Sequence, residues 1–364
     1  MDRGLNGQKS SLPMIDSFCS DSFKLKSNTN VIVIDAGGTN LRTCLVHFDE
    51  NLEPVIEDFR KTSMPGTNGE VSAKQFFGKL ADECERFITK ADRIGFCFSY
   101  EAKIMPDHDG YPVLMSKEVK APEIIGKHLG KELLAELSSR GYDVKNKKVI
   151  ILNDTVTTLL AGLCKTEKVN CEGCIGFILG TGTNTAYPEN GTIINVESGG
   201  YDYAPGDIDK TFIAKTELPD YHHFEKLISG AYLGPLALEI LKCAKNEGVV
   251  DIDLPQSLGT KAMSDGIDEK TFDSDVIDIL ETFIERTALF TAANLSAAVI
   301  KSGYGKNKPV LINADGTTFY KTGNLGKQAM AYTKDYLASK GLKAEFILIE
   351  NSPTIGSAIG ALSL

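Results

Sequence analysis

Val31-Ile-Val-Ile-Asp-Ala-Gly-Gly-Thr-Asn-Leu-Arg42 opens the patterned part of the chain. Its first four residues are β-branched without a polar break, the pattern of a strand buried on both faces. Asp35 to Asn40 supplies the turn, and residues 41–48 return as a second strand. Gly37 and Gly38 would let backbone N–H groups approach a phosphate, and Thr39 adds a hydroxyl donor. A plain hairpin whose turn is capped by Asp35 reads equally well from these residues alone. The stretch is not the dinucleotide fingerprint, because no helix follows directly and the third glycine is missing. Nor is it a Walker A loop, which needs Gly-Lys-Ser/Thr.

Working outward, apolar runs at 93–99, 147–152, 175–179, 309–313 and 346–349 predict further strands. Helical spacing at 72–90, 122–141, 156–163, 227–241, 272–300 and 355–362 alternates with them. Asn190-Gly191 predicts a type I′ hairpin turn. Residues 1–28 are polar apart from a short amphipathic stretch at 14–23, which predicts a tail or helix. Gly38-Thr39-Asn40 and Gly182-Thr183-Asn184 each follow an apolar strand, 144 positions apart. That period suits two copies of one α/β unit, hence a two-lobed α/β protein with a cleft.

At about 150 residues per domain, 364 residues suggest two domains. Lys+Arg 39 against Asp+Glu 49 gives a net charge of −10, with no basic cluster, which argues against nucleic acid as a partner. No uncharged apolar run approaches the roughly 18 residues of a membrane helix, so no membrane partner is expected. The N-terminus lacks an apolar signal core, and the expected location is cytoplasmic. The eight cysteines then read as reduced thiols. Cys171-Glu-Gly-Cys174 has the spacing of half a zinc site, but no second pair follows.

Two more turns set glycine beside threonine at a strand end: Gly180-Thr-Gly-Thr183 and Asp315-Gly-Thr-Thr318. Three such turns in one chain suggest a bound nucleotide. Gly356 and Ser357 would let adenine lie against a helix start, or simply let two helices pack closely. Asn153-Asp154-Thr155 sits where a strand meets a helix. It reads either as an N-cap or as a carboxylate poised to accept a hydroxyl proton. His108 and His222-His223 read as polar loop residues.

In this order the motifs resemble those of the hexokinase family, within the actin/Hsp70/sugar-kinase superfamily. Asp35-Ala-Gly-Gly-Thr-Asn-Leu-Arg42 resembles its first phosphate motif, and Gly180-Thr-Gly-Thr-Asn184 its second. Phe98-Ser99 with Ser116-Lys117-Glu-Val-Lys-Ala121 resembles the sugar segment, Leu152-Asn-Asp-Thr-Val156 the catalytic aspartate segment, and Ile194-Asn-Val-Glu197 the Asn-x-Glu strand. Asp315-Gly-Thr317 resembles an adenosine-side turn. The resemblance implies a duplicated RNase H-like, actin-like ATPase fold with a central cleft. Its expected parts are an N-terminal tail at 1–28, a small domain at 29–152 and a large domain at 153–364.

The implied activity is transfer of the ATP γ-phosphate to a hexose 6-hydroxyl, with lobe closure excluding water. Asp154 would be the general base, assisted by Lys117. Ser99, Ser116, Lys117, Asn153, Asn184 and Glu197 would hold the hexose. Asp35, Gly37, Gly38, Thr39, Asn40, Arg42, Gly180, Thr181, Gly182, Thr183, Asp315, Gly316, Thr317, Gly356 and Ser357 would line the nucleotide. Mg²⁺ would be held through ATP and water near Asp35 and Asp154.

Three departures from the family pattern stand out. Pro235 follows Phe224-Glu-Lys-Leu-Ile-Ser-Gly-Ala-Tyr-Leu-Gly234, where a sugar-binding glutamate is expected, so one hexose contact should be lost or supplied from elsewhere. Glu101 stands in place of proline and Ser116 in place of threonine. The last helix of the small domain should be absent. The competing readings are a sugar-binding regulator without turnover and a superfamily kinase for a non-hexose substrate.

Overall fold

The computed structural model describes residues 1–115 and 119–364. It divides into two compact units. Unit I comprises Ile15–Lys165, Pro188–Asn195 and Ile349–Leu364; unit II comprises Met1–Met14, Thr166–Tyr187 and Val196–Leu348. Residues 153–165, expected in the large domain, group with unit I.

In unit I, β1 (Val31–Ala36) is buried at all six positions, as its unbroken apolar run predicts. It pairs antiparallel with β2 (Asn40–Phe48), which pairs with β3 (Pro54–Ser63). On its other side lie the parallel strands β4 (Arg93–Phe98) and β5 (Lys148–Leu152), giving the order β3-β2-β1-β4-β5. The sequence pattern missed β3 because it is an edge strand with mostly exposed residues, so it lacks an apolar face to read. Helix α1 (Ala73–Cys84) starts at a Ser72–Gln75 capping box. With α2 (Leu129–Ser139) it covers the face of the sheet that carries Ile32, Ile34, Phe96 and Ile151. Helix α3 (Asp154–Leu163) follows β5 directly.

Unit II repeats this pattern. Strand β6 (Cys174–Leu179) pairs antiparallel with β7 (Thr183–Glu189) and parallel with β8 (Val310–Asp315), which pairs parallel with β9 (Ala344–Ile347). The order β7-β6-β8-β9 thus matches β2-β1-β4-β5, a hairpin followed by two parallel strands. The 144-residue echo is this duplication. Asn190 and Gly191 both take positive φ (53° and 87°), as the type I′ turn requires.

The helices of unit II include α4 (His223–Ile228), α5 (Leu233–Asn246), α6 (Ser274–Ser302), α7 (Thr317–Lys321) and α8 (Leu325–Ser339). By length and composition α6 could cross a bilayer, yet its Leu280, Ala288, Leu295 and Val299 are fully buried. It is a core helix.

Two expectations change. Residues 14–23 do not form a helix: Ile15–Ser20 is a strand paired antiparallel with Thr192–Asn195. Its Ser17 and Cys19 are buried alternately, a period-2 pattern that six residues barely distinguish from helical spacing. Nor is the last helix missing, because α9 (Ser352–Leu362) packs on β1, β4 and α3 inside unit I.

Six cysteines are buried, while Cys164 and Cys243 are partly exposed. A thiol titration of the native protein is therefore expected to detect at most two groups quickly, and all eight after denaturation. Rapid reaction of more than two would contradict this packing. Among the described residues no group of three or more His, Cys, Asp or Glu side chains is placed to hold a metal ion.

Candidate active site

In unit I the candidate residues gather at the C-terminal ends of the parallel strands. Asp35 is the penultimate residue of β1, Ser99 follows β4, and Asn153 and Asp154 follow β5. Asn153 is the N-cap of α3, its side-chain oxygen accepting from the Thr155 N–H at 2.9 Å. The cap is therefore Asn153, and Asp154 is released from that duty. Among the described residues its carboxylate accepts only the Thr155 hydroxyl, at 3.3 Å. The Thr157 and Thr158 hydroxyls bond to its backbone carbonyl and hold the helix start.

Asp35 is 3% exposed and bonded to Arg42, directly across the hairpin, at 2.7 Å. Burial pushes its pKa up and Arg42 pulls it back, while the nearby charge of Asp154 raises it further. The two carboxylates thus stand close enough to feel one another. Cys97, opposite Asp35 on β4, is fully buried and its thiol titrates well above normal, chiefly through burial. It is packing, not a nucleophile.

The first glycine turn is a closed hairpin, with the Gly37 N–H bonding to the Asn40 carbonyl at 3.0 Å. Thr39 is exposed at its tip and Gly38, Asn40 and Arg42 are half-buried. Ser99 is half-buried, with its N–H on the Ala36 carbonyl. Ser116 and Lys117 lie outside the described residues.

In unit II, Gly180 N–H bonds to the Gly182 carbonyl, a tighter closure than in the first turn. The Gly180 carbonyl accepts from Gly230 N–H and the Thr318 hydroxyl, both at 2.8 Å. Gly316, at φ 114°, lies so close that a Cβ there would stand 2.2 Å from the Leu179 carbonyl oxygen. The Asp315–Thr318 turn is thereby joined to the second phosphate turn. Asp315 accepts from the Gly316 N–H, and Thr317 is exposed at the start of α7. Thr181 is exposed, whereas the Thr183 hydroxyl donates inward to the Ile178 carbonyl. Asn184 is buried, its side-chain oxygen accepting from Thr185 and Ser198 N–H groups. Glu197 is half-buried at a left-handed φ of 54°.

One residue of this cluster was not anticipated. Glu225 on α4 accepts the Thr183 N–H at 2.9 Å and lies against Gly182 and Gly199. It belongs to the Phe224–Gly234 segment, where the departure at Pro235 is the stronger signal in the sequence. There, Gly234 packs on Gly259 and Thr260, its N–H bonded to the Thr260 hydroxyl. Glu225 thus sets a carboxylate against the second glycine–threonine turn.

Gly356 and Ser357 are buried in unit I. A Cβ on Gly356 would stand 1.8 Å from the Thr157 carbonyl oxygen, and one on Gly95 2.2 Å from that of Ser357. Helix packing, not adenine, occupies these positions.

The fold is that of solved hexokinases. The structure of hexokinase from Schistosoma mansoni complexed with glucose superposes with a TM-score of 0.79 at 22% identity, over 97% of this chain and 89% of that one. The hexokinase sequence family matches residues 1–164 and, in its second part, 174–277 and 268–363. The chain belongs to the hexokinase family. Human Hexokinase-3 is 31% identical over 274 residues, which are 69% of this chain and 29% of that protein. Candida albicans Hexokinase-2 is 26% identical across 99% of this chain and 85% of its own length. The chain thus spans under a third of one relative and most of the other.

Proposed function

We propose that the protein transfers the γ-phosphoryl group of ATP to the 6-hydroxyl of a glucose-like hexose. The observation that carries this reading is Asp154, relieved of the capping role by Asn153 at the start of α3 and near the buried Asp35. Asp154 accepts the 6-hydroxyl proton as the oxygen attacks the γ-phosphorus and ADP leaves. Ser99, Asn153, Asn184, Glu197 and Glu225 are the proposed partners of the sugar hydroxyls. The turns around Thr39, Thr181 and Thr317 bind the nucleotide. Two carboxylates with no third His, Cys, Asp or Glu grouped beside them among the described residues suit a Mg²⁺ held chiefly by nucleotide oxygens and water. When bound, that ion would neutralise charge developing on the phosphates.

The test is a coupled ADP-release assay over a hexose panel with ATP, GTP and polyphosphate. Turnover with ATP and a glucose-like hexose is expected. Stabilisation by a sugar without turnover on any would make the protein a regulator instead. Turnover confined to a non-hexose would discard the sugar assignments.

Glu225 gives a sharper check. Glu225→Gln keeps an oxygen for the Thr183 N–H but removes the charge offered to the sugar. Losing a charged hydrogen bond costs about 1.5–3 kcal/mol, so hexose affinity should fall roughly 10- to 150-fold. Pro235→Glu should leave it within about twofold. A calorimetric titration showing the reverse ranking would return the missing contact to position 235.

A further inference from the structure

The hexose-side and phosphate-side residues of unit I are physically tied. Tyr100 follows Ser99, is 2% exposed, and donates its hydroxyl to the Gly38 carbonyl at 2.7 Å. Its ring rests on Phe98 at 5.2 Å, so the hydroxyl is held by packing at the ring end. One residue earlier, the Ser99 N–H bonds to the Ala36 carbonyl. Ser99 and Tyr100 therefore both bond to the strand end and turn that lead into Thr39.

The same turn is reached from a second direction. Thr39 carbonyl accepts from Met64 N–H at 2.9 Å, and Gly66 carbonyl accepts from Lys120 N–H at 2.9 Å. Val71 N–H then bonds to the Lys120 carbonyl. The 64–71 segment thus links the phosphate turn to the chain that leads away from the sugar segment. No room exists for slack there, because a Cβ on Gly66 would lie 2.9 Å from Val119 Cγ1. Of the two links, only the one through Tyr100 depends on a single side-chain atom.

We infer that Tyr100 is a positioning residue that couples occupancy of the hexose site to the affinity of the Gly38–Thr39 turn for nucleotide phosphates. This rests on the hexose kinase reading. Sugar bound at Ser99 restrains the Ser99–Tyr100 peptide, and the phenol hydroxyl carries that restraint to the Gly38 carbonyl. This orients the amides that follow it. Coupling of this kind is reciprocal: nucleotide tightens sugar by the factor by which sugar tightens nucleotide.

The test is Tyr100→Phe, which removes one oxygen and keeps the buried ring. Calorimetry would measure binding of a non-hydrolysable Mg·ATP analogue with and without saturating D-glucose, and binding of glucose alone. The ratio of analogue affinities with and without glucose should fall at least fivefold toward one in the variant. Affinity for glucose alone, and for the analogue alone, should stay within about twofold. A ratio unchanged within twofold would overturn the inference, and so would a wild-type ratio of one. Lower melting temperature and kcat with an unchanged ratio would mark Tyr100 as merely structural and overturn it equally. A wild-type protein that phosphorylates no hexose would instead discard the underlying kinase reading, whatever the binding ratio.

Discussion

Asp154→Asn is expected to lower kcat by about 10²- to 10⁴-fold, the range that a positioned general base supplies. The substitution keeps the shape of the side chain and removes only its capacity to take a proton. Local structure should survive, because the Asn153 cap and the Thr157 and Thr158 hydroxyls bond to atoms the change does not touch. Removing the negative charge also relieves Asp35, whose raised pKa is partly due to Asp154. Hexose affinity measured by calorimetry should change less than about threefold. The protein has no tryptophan, which rules out indole fluorescence as the probe. A variant that turns over within threefold of wild type would remove Asp154 from the proton transfer. Loss of sugar binding in step with activity would reassign it to substrate binding.

Gly356→Ala is expected to produce the largest loss of stability from one methyl group. The added carbon would stand 1.8 Å from Thr157 O, 2.5 Å from Thr157 C and 2.6 Å from Thr157 Cα. All three are backbone atoms of α3, so no side chain can swing aside and one helix must move. Overpacking in a close-packed interior costs about 1–3 kcal/mol and sometimes more, and backbone against backbone lies at the upper end. At roughly 2–4 °C per kcal/mol for units of this size, calorimetric Tm should fall by about 6–12 °C. Gly95→Ala, aimed at the Ser357 carbonyl of the same helix, should act in the same direction. Gly259→Ala is the control, since its Cβ would meet nothing within 4 Å, and its Tm should move by less than about 2 °C. If Gly356→Ala melts like wild type, the α3–α9 contact is not as close as described. Activity gives a second readout, because α3 carries Asp154 at its first position.

Much of this molecule is legible along the chain because its signals are local. Val31–Ile34 announces a two-face-buried strand, Asn190-Gly191 a type I′ turn, and Asn153 a helix cap, each readable within a few residues. The repeat of Gly-Thr-Asn at 38–40 and 182–184 pointed to a duplicated α/β unit, and both sheets show it. The missed elements are those whose signal is weak or shared. The edge strand Pro54–Ser63 presents polar residues to solvent, and Ile15–Ser20 is too short for its period to be read.

Residue order alone thus determined the strands, turns, caps and their duplication, since these follow from backbone sterics and hydrophobic period over a few positions. Three-dimensional packing decided the rest. It brought Glu225 to the Thr183 amide across 42 residues. It returned Ser352–Leu362 to the unit built from the opposite end of the chain. It also turned Gly356 and Ser357 from adenine neighbours into helix contacts. The physical reason is common to all three. Apolar burial is non-directional, so which distant segments meet depends on the fit of whole surfaces, which no short stretch of residues encodes.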